Sequence, residues 1–298
     1  MIDFLSVNWN IDPVLFEIGA LKIRWYSLLF VSGFPLGYWM FTKFYQREGV
    51  DLKLLEPLLY ALLIGTIVGA RLGHCLFYDP SYYFSKAHWL EIFMPWKGGL
   101  ASHGGAIGVM LAVWWYTARY GKKNGFDILW VFDRLVIAVA FAGCLIRIGN
   151  LFNSELYGTP TDLPWGFVFQ RNHETQPMHP TQIYEALSYL ILGIFLALDY
   201  QKKLNKRYRG WYFGVFFIGC FGMRFLIEFI KNWTVTLTDG IPLNMGQRLS
   251  IPFIIAGIVL VIVAYVRKVP ARRLETEKSN YRPLPKEQRE AQLKKNGK

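Results

Sequence analysis

Three stretches of this chain run eighteen residues or more without an acidic or basic side chain other than one histidine: Trp25 to Thr42, Gly98 to Ala118 and Leu249 to Val266. At 1.5 Å per residue, a helix of that length crosses the roughly 30 Å hydrocarbon layer of a bilayer. Nothing else in the sequence narrows the fold as far. Composition agrees, with 53% hydrophobic and 17% aromatic residues against 18% charged ones, gathered into blocks. The chain reads as an all-α polytopic membrane protein.

Seven transmembrane helices are expected, at about 22–44, 54–78, 100–119, 128–147, 182–200, 211–230 and 248–267. Basic residues are abundant in alternate connections. One set holds Lys43, Arg47 and Lys53, then Arg119, Lys122 and Lys123, then the run from Lys202 to Arg209, and finally Arg267, Lys268, Arg272 and Arg273. The other connections carry only Lys86 and Lys97, Arg171, and Lys231. The positive-inside rule places the first set in the cytoplasm. The N-terminus is then outside and the C-terminus inside, which an odd number of spans satisfies. Residues 1–269 form the membrane domain, with two extracytoplasmic segments, 79–97 and 151–181. The first is aromatic, as suits a segment resting at the interface; the second, rich in Pro, Asn, Thr and Gly, is expected to form a small cap. Residues 270–298 alternate Lys, Arg and Glu with little apolar content and are expected to be a disordered cytoplasmic tail.

No secretory signal pattern opens the chain, so the first span is expected to act as an uncleaved anchor. Cys75, Cys144 and Cys220 lie in apolar segments at spacings that fit neither a metal site nor a disulfide framework. The net charge of +12 could suggest a nucleic-acid partner, but its concentration between spans fits topology and anionic headgroups instead. No internal repeat is visible.

Charged and titratable groups inside the spans are the chemical signal. Arg71, Arg147, Arg224 and Glu228 fall in the outer halves of outward-running spans, and His103, Glu185 and Arg248 in the outer halves of inward-running ones. Seven groups therefore share one expected depth, near the outer leaflet. Each charge in hydrocarbon costs roughly 2.5–3.5 kcal/mol on insertion scales, so such a set must pair and line a polar cavity. Structural staples and snorkelling arginines are the plainer explanation, and Arg224 with Glu228, at i and i+4, could form a local ion pair. Arginine outnumbers glutamate four to two in this set, and its planar fork suits phosphate. Asp133 and Arg134, in an inner half, are expected to be structural partners.

Two polar stretches accompany these charges. In GGLASHGGAIG, residues 98–108, glycines flank His103, and Gly104 and Gly105 would let a substrate approach the imidazole. In CLIRIGNLFNSELYG, residues 144–158, helical spacing puts Arg147, Asn150 and Ser154 on one face with Glu155 beside them. Gly149 and Gly158 would ease a bend there.

The chain resembles the prolipoprotein diacylglyceryl transferases over nearly its whole length up to the tail. The most specific block is IRIGNLFNSELYG, joined by HGG at His103, HPTQIYE at 179–185, RFLIE at 224–228 and MGQRLSIP at 245–252. The resemblance implies transfer of a diacylglyceryl group from phosphatidylglycerol to the lipobox cysteine of a preprolipoprotein signal peptide, in the bacterial inner membrane, without metal or cofactor. It implies that Arg147 and Arg224 meet the phosphate, that Asn150, Glu155, Gly158 and Glu228 shape the site, and that Tyr26 and His103 take part. Arg71, Gly104 and Gly105 are further expected substrate contacts. Two positions depart from the family pattern: Ile146 stands where its signature has glycine, and Cys220 where it often has tyrosine.

Such a reaction displaces phosphate from a glycerol carbon by sulfur, and a thiol near pKa 8.5 must first lose its proton. His103 is the expected proton acceptor, directly or through water; the alternative is that it only positions lipid. A transporter or flippase of an anionic lipid would use the same arginines but needs an inward polar path, for which the inner halves offer only Asp127, Asp133 and Arg134. A phosphatidyltransferase acting on a nucleotide-activated lipid would need an aspartate-rich metal motif that the chain lacks.

Overall fold

A computed structural model describes residues 6–19, 21–85, 87–232 and 243–273. Lys86 and the tail beyond Arg273 lie outside the described residues. Seven helices of fifteen residues or more occur among those described: α1 Trp25–Glu48, α2 Leu55–Phe77, α3 Ser102–Tyr116, α4 Ile128–Phe152, α5 Thr181–Lys203, α6 Trp211–Ile227 and α7 Met245–Arg267. Each overlaps one expected span. Five stretches are long and apolar enough to cross a membrane: Leu52–Phe77, Ile128–Phe152, Thr181–Lys206, Trp211–Ile230 and Met245–Arg267. Helix α1 contains Pro35, and the 15-residue α3 continues into a π-helical turn at Thr117–Gly121.

Four short strands were not anticipated: β1 Val7–Trp9, β2 Val14–Ile18, β3 Leu21–Arg24 and β4 Phe167–Phe169. β2 and β3 form an antiparallel hairpin, while β1 pairs in parallel with β4. The described residues divide into two compact units, those between 6 and 40 with those between 132 and 272, and those between 41 and 131 with 273.

In the first unit, β1 and residues 151–181 make one small module. Leu151, Phe167, Phe169 and Met178 form its core, with Trp9 and Tyr157 packed against it. Trp9 Nε1 donates to the Leu151 carbonyl at 3.0 Å, fastening the chain start to the end of α4. The expected cap thus has a core, and the N-terminal strand completes it. Helices α6 and α7 approach closely where Gly214 and Gly257 face each other; a Cβ on either would lie 2.7 Å from the other's carbonyl oxygen. Asp133 accepts from Gly210 N at 2.7 Å and Phe213 N at 2.9 Å, capping the start of α6. Arg134 donates to the Ala271 carbonyl at 2.8 Å and lies over the Tyr200 ring. These two neighbours each hold a different piece of backbone. Ala271 is fully buried and its N–H bonds the Arg207 carbonyl at 2.8 Å, so the extension past α7 begins as a packed segment.

In the second unit, α2 and α3 pack through small residues four apart, Gly65, Gly69 and Gly73 against Gly104, Gly108 and Ala112. A Cβ on Gly69 would sit 2.4 Å from the Gly104 carbonyl oxygen, and one on Gly104 2.2 Å from that of Gly69. An open apolar groove of about 800 Å³ runs along the same pair of helices, walled by Tyr60, Leu72 and Trp115. Residues 79–97 form three short helical turns that expose Phe84, Trp89, Phe93 and Trp96. Near the other ends of the helices, Glu48 accepts from Trp130 Nε1 at 2.9 Å and from the Arg273 N–H at 2.8 Å.

Candidate active site

The polar block at the end of α4 is built by a helix and the turn that stops it. Helix α4 runs without interruption through Ile146 to Phe152, so Arg147 and Asn150 share a face in its last two turns. Ser154 and Leu156 then adopt positive φ angles of 55° and 62°, which swings the chain back. Ser154 therefore leaves the helix, contrary to the expected shared face, and its hydroxyl is buried without a hydrogen-bond partner among the described residues. The reversal brings Glu155 to Asn150: Asn150 Nδ2 donates to Glu155 Oε1 at 2.7 Å, and Asn153 Nδ2 to the same oxygen at 3.1 Å. Asn150 Oδ1 lies 3.4 Å from Arg147 Nη1.

Neither glycine of the block acts as a bend. Gly149 is in mid-helix, and a Cβ there would come within 2.9 Å of the Tyr26 ring, so its bareness seats Tyr26 on α4. Gly158 has ordinary φ but is pressed from two sides. Its N–H bonds the His179 carbonyl at 2.8 Å, and it forms a bridge to Lys231. A Cβ would stand 2.4 Å from the Ile230 carbonyl oxygen and 2.7 Å from His179 Cβ. His179 belongs to the cap, and burial pushes its imidazole below the usual histidine range, favouring the neutral form.

A chain of ion pairs crosses the ends of three helices. Arg147 Nε lies 3.1 Å from Glu185 Oε2, and Glu185 Oε1 lies 3.2 Å from Lys231 Nζ. Lys231 Nζ is 3.7 Å from Glu228 Oε1, which is itself 3.7 Å from Arg224 Nε. Glu185 is 1% exposed and Lys231 8%, so the middle of this network sits out of solvent, while Arg224 at its end is partly exposed. Burial of that kind needs near-complete pairing, and along this chain three cations, Arg147, Lys231 and Arg224, alternate with two carboxylates. Glu228 is further enclosed by the start of α7. A Cβ on Gly246 would lie 2.3 Å from its carboxyl carbon, and Asn244 Nδ2 donates to its carbonyl at 3.0 Å. A cavity of about 150 Å³ opens beside Arg147, lined by Gln182 and otherwise apolar side chains from α4 and α5. Gln182 donates from Nε2 to the Glu155 carbonyl at 2.7 Å, while its buried Oε1 has no hydrogen-bond partner among the described residues.

Sequence reasoning brought Arg147, Glu185, Arg224 and Glu228 to one depth, and the first unit joins all four. Lys231, a connection residue by sequence, joins them in the structure. Helical period does not reveal it, because the helix ends at Ile227 and Lys231 is extended backbone just past the Glu228–Ile230 turn. At Cys220, where the family pattern often has tyrosine, a hydroxyl arrives from another helix. Tyr189 of α5 packs against Cys220 and Cys144.

The second unit carries His103, Gly104, Gly105 and Arg71. His103 is the second residue of α3 and is exposed. Gly104 is accounted for by the contact with Gly69, whereas a Cβ on Gly105 would make only ordinary contact with Ala70, so helix association explains the first and does not require the second. Arg71, expected as a substrate contact, is 3% exposed. Its guanidinium donates to the carbonyls of Glu91, Ile92, Gly98 and Gly99 and to the Tyr83 hydroxyl. It pins the 79–97 segment and the Gly98–Gly99 turn, from which α3 starts.

Fold and site together define an integral membrane protein with a buried, ion-paired polar centre. The chain belongs to the prolipoprotein diacylglyceryl transferase family, whose sequence model matches residues 13–263. It is 47% identical over 272 residues to the phosphatidylglycerol–prolipoprotein diacylglyceryl transferase of Porphyromonas gingivalis, covering 87% of this chain and 94% of that one. The proteins of the same name from Tolumonas auensis and Bacteroides fragilis are 44% and 41% identical, over 87% and 85% of this chain and 98% and 94% of theirs.

Proposed function

We propose that this protein transfers the diacylglyceryl group of phosphatidylglycerol to the lipobox cysteine thiol of preprolipoproteins, forming a thioether and releasing glycerol phosphate. The observation that carries this reading is the linkage of Arg147 and Arg224, the arginines of the two family motifs, through Glu185, Lys231 and Glu228. Two guanidinium groups held in one ion-pair network suit a phosphate that gains charge as it departs. In the reaction a C–S bond forms at the glycerol carbon, the C–O bond to phosphate breaks, and the thiol proton goes to a base.

In this reading Arg147 and Arg224 bind the phosphate oxygens, Asn150 and Glu155 orient Arg147, and Glu228 orients Arg224. Tyr26 and Gly158 shape the walls. His103 accepts the thiol proton directly or through water, and Arg71 sets the turn that leads to it. The topology in keeping with this chemistry has seven spans, the N-terminus outside, the C-terminus in the cytoplasm and the site toward the outer leaflet of the inner membrane. The protein substrate, a secreted signal peptide with its cysteine near the outer surface, would meet the site there.

The test uses purified protein with phosphatidylglycerol and a lipobox peptide, followed by mass spectrometry. A peptide gaining one diacylglyceryl group in thioether linkage is the expected product. Absence of product, with lipid translocation instead, would overturn the assignment. His103→Gln is expected to lose most turnover at every pH; near-normal turnover across the range would remove the base role.

A further inference from the structure

Each motif arginine meets a glutamate through Nε, though Arg147 also has Nη1 3.4 Å from Asn150 Oδ1 while Arg224 is about one-third exposed. Arg147 is engaged through Nε by Glu185 at 3.1 Å, and Arg224 through Nε by Glu228 at 3.7 Å. Held on that side, a guanidinium can turn its terminal Nη edge to a phosphate, the edge that supports two parallel N–H···O bonds. The glutamates come from different elements, Glu185 from the first turns of α5 and Glu228 from the 3-10 turn at Glu228–Ile230 that follows α6. One group touches both: Lys231 Nζ, at 3.2 Å from Glu185 Oε1 and 3.7 Å from Glu228 Oε1.

Lys231 is fixed by its backbone as well as by its charges. It forms a bridge with Gly158, and the Thr159 N–H bonds the adjacent Ile230 carbonyl at 2.9 Å. The residue is therefore tied to the block that also carries Arg147, Asn150 and Glu155. Within the ion-pair chain the two arginines already match Glu185 and Glu228 one for one, and the further carboxylate of the block, Glu155, is held by Asn150 and Asn153 rather than by Lys231. A buried third cation is costly unless it performs a task. Joining two carboxylates is a task lysine can do, because its ammonium offers three donors around a point charge.

We infer that Lys231 is a positioning residue for the transfer reaction: it couples Glu185 to Glu228, and so sets the separation and orientation of Arg147 and Arg224 as a two-armed phosphate clamp. The inference rests on the phosphate role proposed above for the two arginines. Lys231 itself stays behind the glutamates and acts through them. The clamp's substrate preference follows: the phosphate of phosphatidylglycerol requires it, whereas the lipobox peptide does not.

The experiment compares wild type, Lys231→Met and Lys231→Arg as full-length proteins in phospholipid nanodiscs, with phosphatidylglycerol and the peptide varied separately. For Lys231→Met, kcat/KM for phosphatidylglycerol is expected to fall roughly 10- to 100-fold, the scale of a misplacement of about 1 Å, with the peptide KM unchanged. Lys231→Arg, which keeps a cation between the carboxylates, is expected to recover most of that loss. A methionine variant with wild-type constants would overturn the inference. So would one in which both KM values and the melting temperature fall or rise together, since that marks general loosening. If Lys231→Met does not fold, Lys231→Gln and Lys231→Arg take its place under the same criteria. Native mass spectrometry of bound phosphatidylglycerol against diacylglycerol, which lacks the phosphate, gives a readout independent of turnover. If wild type makes no thioether yet binds phosphatidylglycerol selectively, and Lys231→Met loses that selectivity, the clamp stands while the proposed reaction falls. Equal selectivity in both proteins would reject the clamp.

Discussion

Replacing Gly158 with alanine tests how the cap, the ion-pair chain and the end of α4 are joined. The added methyl would meet Ile230 O at 2.4 Å, His179 Cβ at 2.7 Å and Thr181 Cγ2 at 2.8 Å, and two of these three neighbours are parts of, or bonded to, the main chain at its closest points. No flexible side-chain tip can swing aside, so backbone must yield. Overpacking of this kind costs about 1–3 kcal/mol. Pushing Ile230 away also weakens the 2.9 Å bond from Thr159 N to its carbonyl, worth about 1 kcal/mol. The sum, about 2–4 kcal/mol, corresponds to a fall in melting temperature of roughly 5–15 °C. Because Lys231 follows Ile230, turnover is expected to fall by more than stability accounts for, roughly 100-fold at temperatures where the variant is fully folded. The assay pairs a thermal melt in detergent with thioether formation measured well below the melt. Gly222→Ala is the control, since a Cβ at Gly222 of α6 meets nothing within 4 Å; it is expected to be neutral or slightly stabilising through helix propensity. A Gly158→Ala protein that melts and turns over like wild type would refute the reasoning, because it would mean that the 230–231 segment does not bear on Gly158.

Three other outcomes follow from the geometry. Gly69→Leu is expected to splay α2 from α3, because even a Cβ would lie 2.4 Å from the Gly104 carbonyl; a lowered melting temperature and faster proteolysis between the helices would register it. Asp133→Ala removes both acceptors at the start of α6, the bonds from Gly210 N and Phe213 N, and is expected to cost about 1–2 kcal/mol by denaturant or thermal titration. His179 titrates below its ordinary 6.5 in the folded protein because burial disfavours the charged form, so the unfolded chain binds more protons at mildly acid pH. Stability is then full above pH 6.5 and declines as the pH falls below it; His179→Gln is expected to flatten that decline in a melting-temperature profile.

The sequence by itself determined the helices. Three uncharged runs of span length admit little else, and all seven long helices overlap the seven expected apolar stretches. It also pointed to Arg147, Glu185, Arg224 and Glu228 as a group, since charges in apolar spans are expensive wherever they lie and cheap only when shared. The tertiary structure decided what each residue touches. Period and composition mark a lysine at 231 as one more connection residue; only the packing of Gly158 against Ile230 carries it between two glutamates. Gly104 reads as an opening beside His103 until Gly69 is seen against it. Arg71 reads as a headgroup contact until four carbonyls and a hydroxyl are found around its guanidinium. The strands β1 and β4 lie about 160 residues apart in sequence, and neither has a partner until the other is placed beside it. The reason is common to all of these. Hydropathy is a property of a segment and is legible along the chain, whereas a hydrogen bond or ion pair belongs to two segments and exists only once the fold has chosen which ones meet.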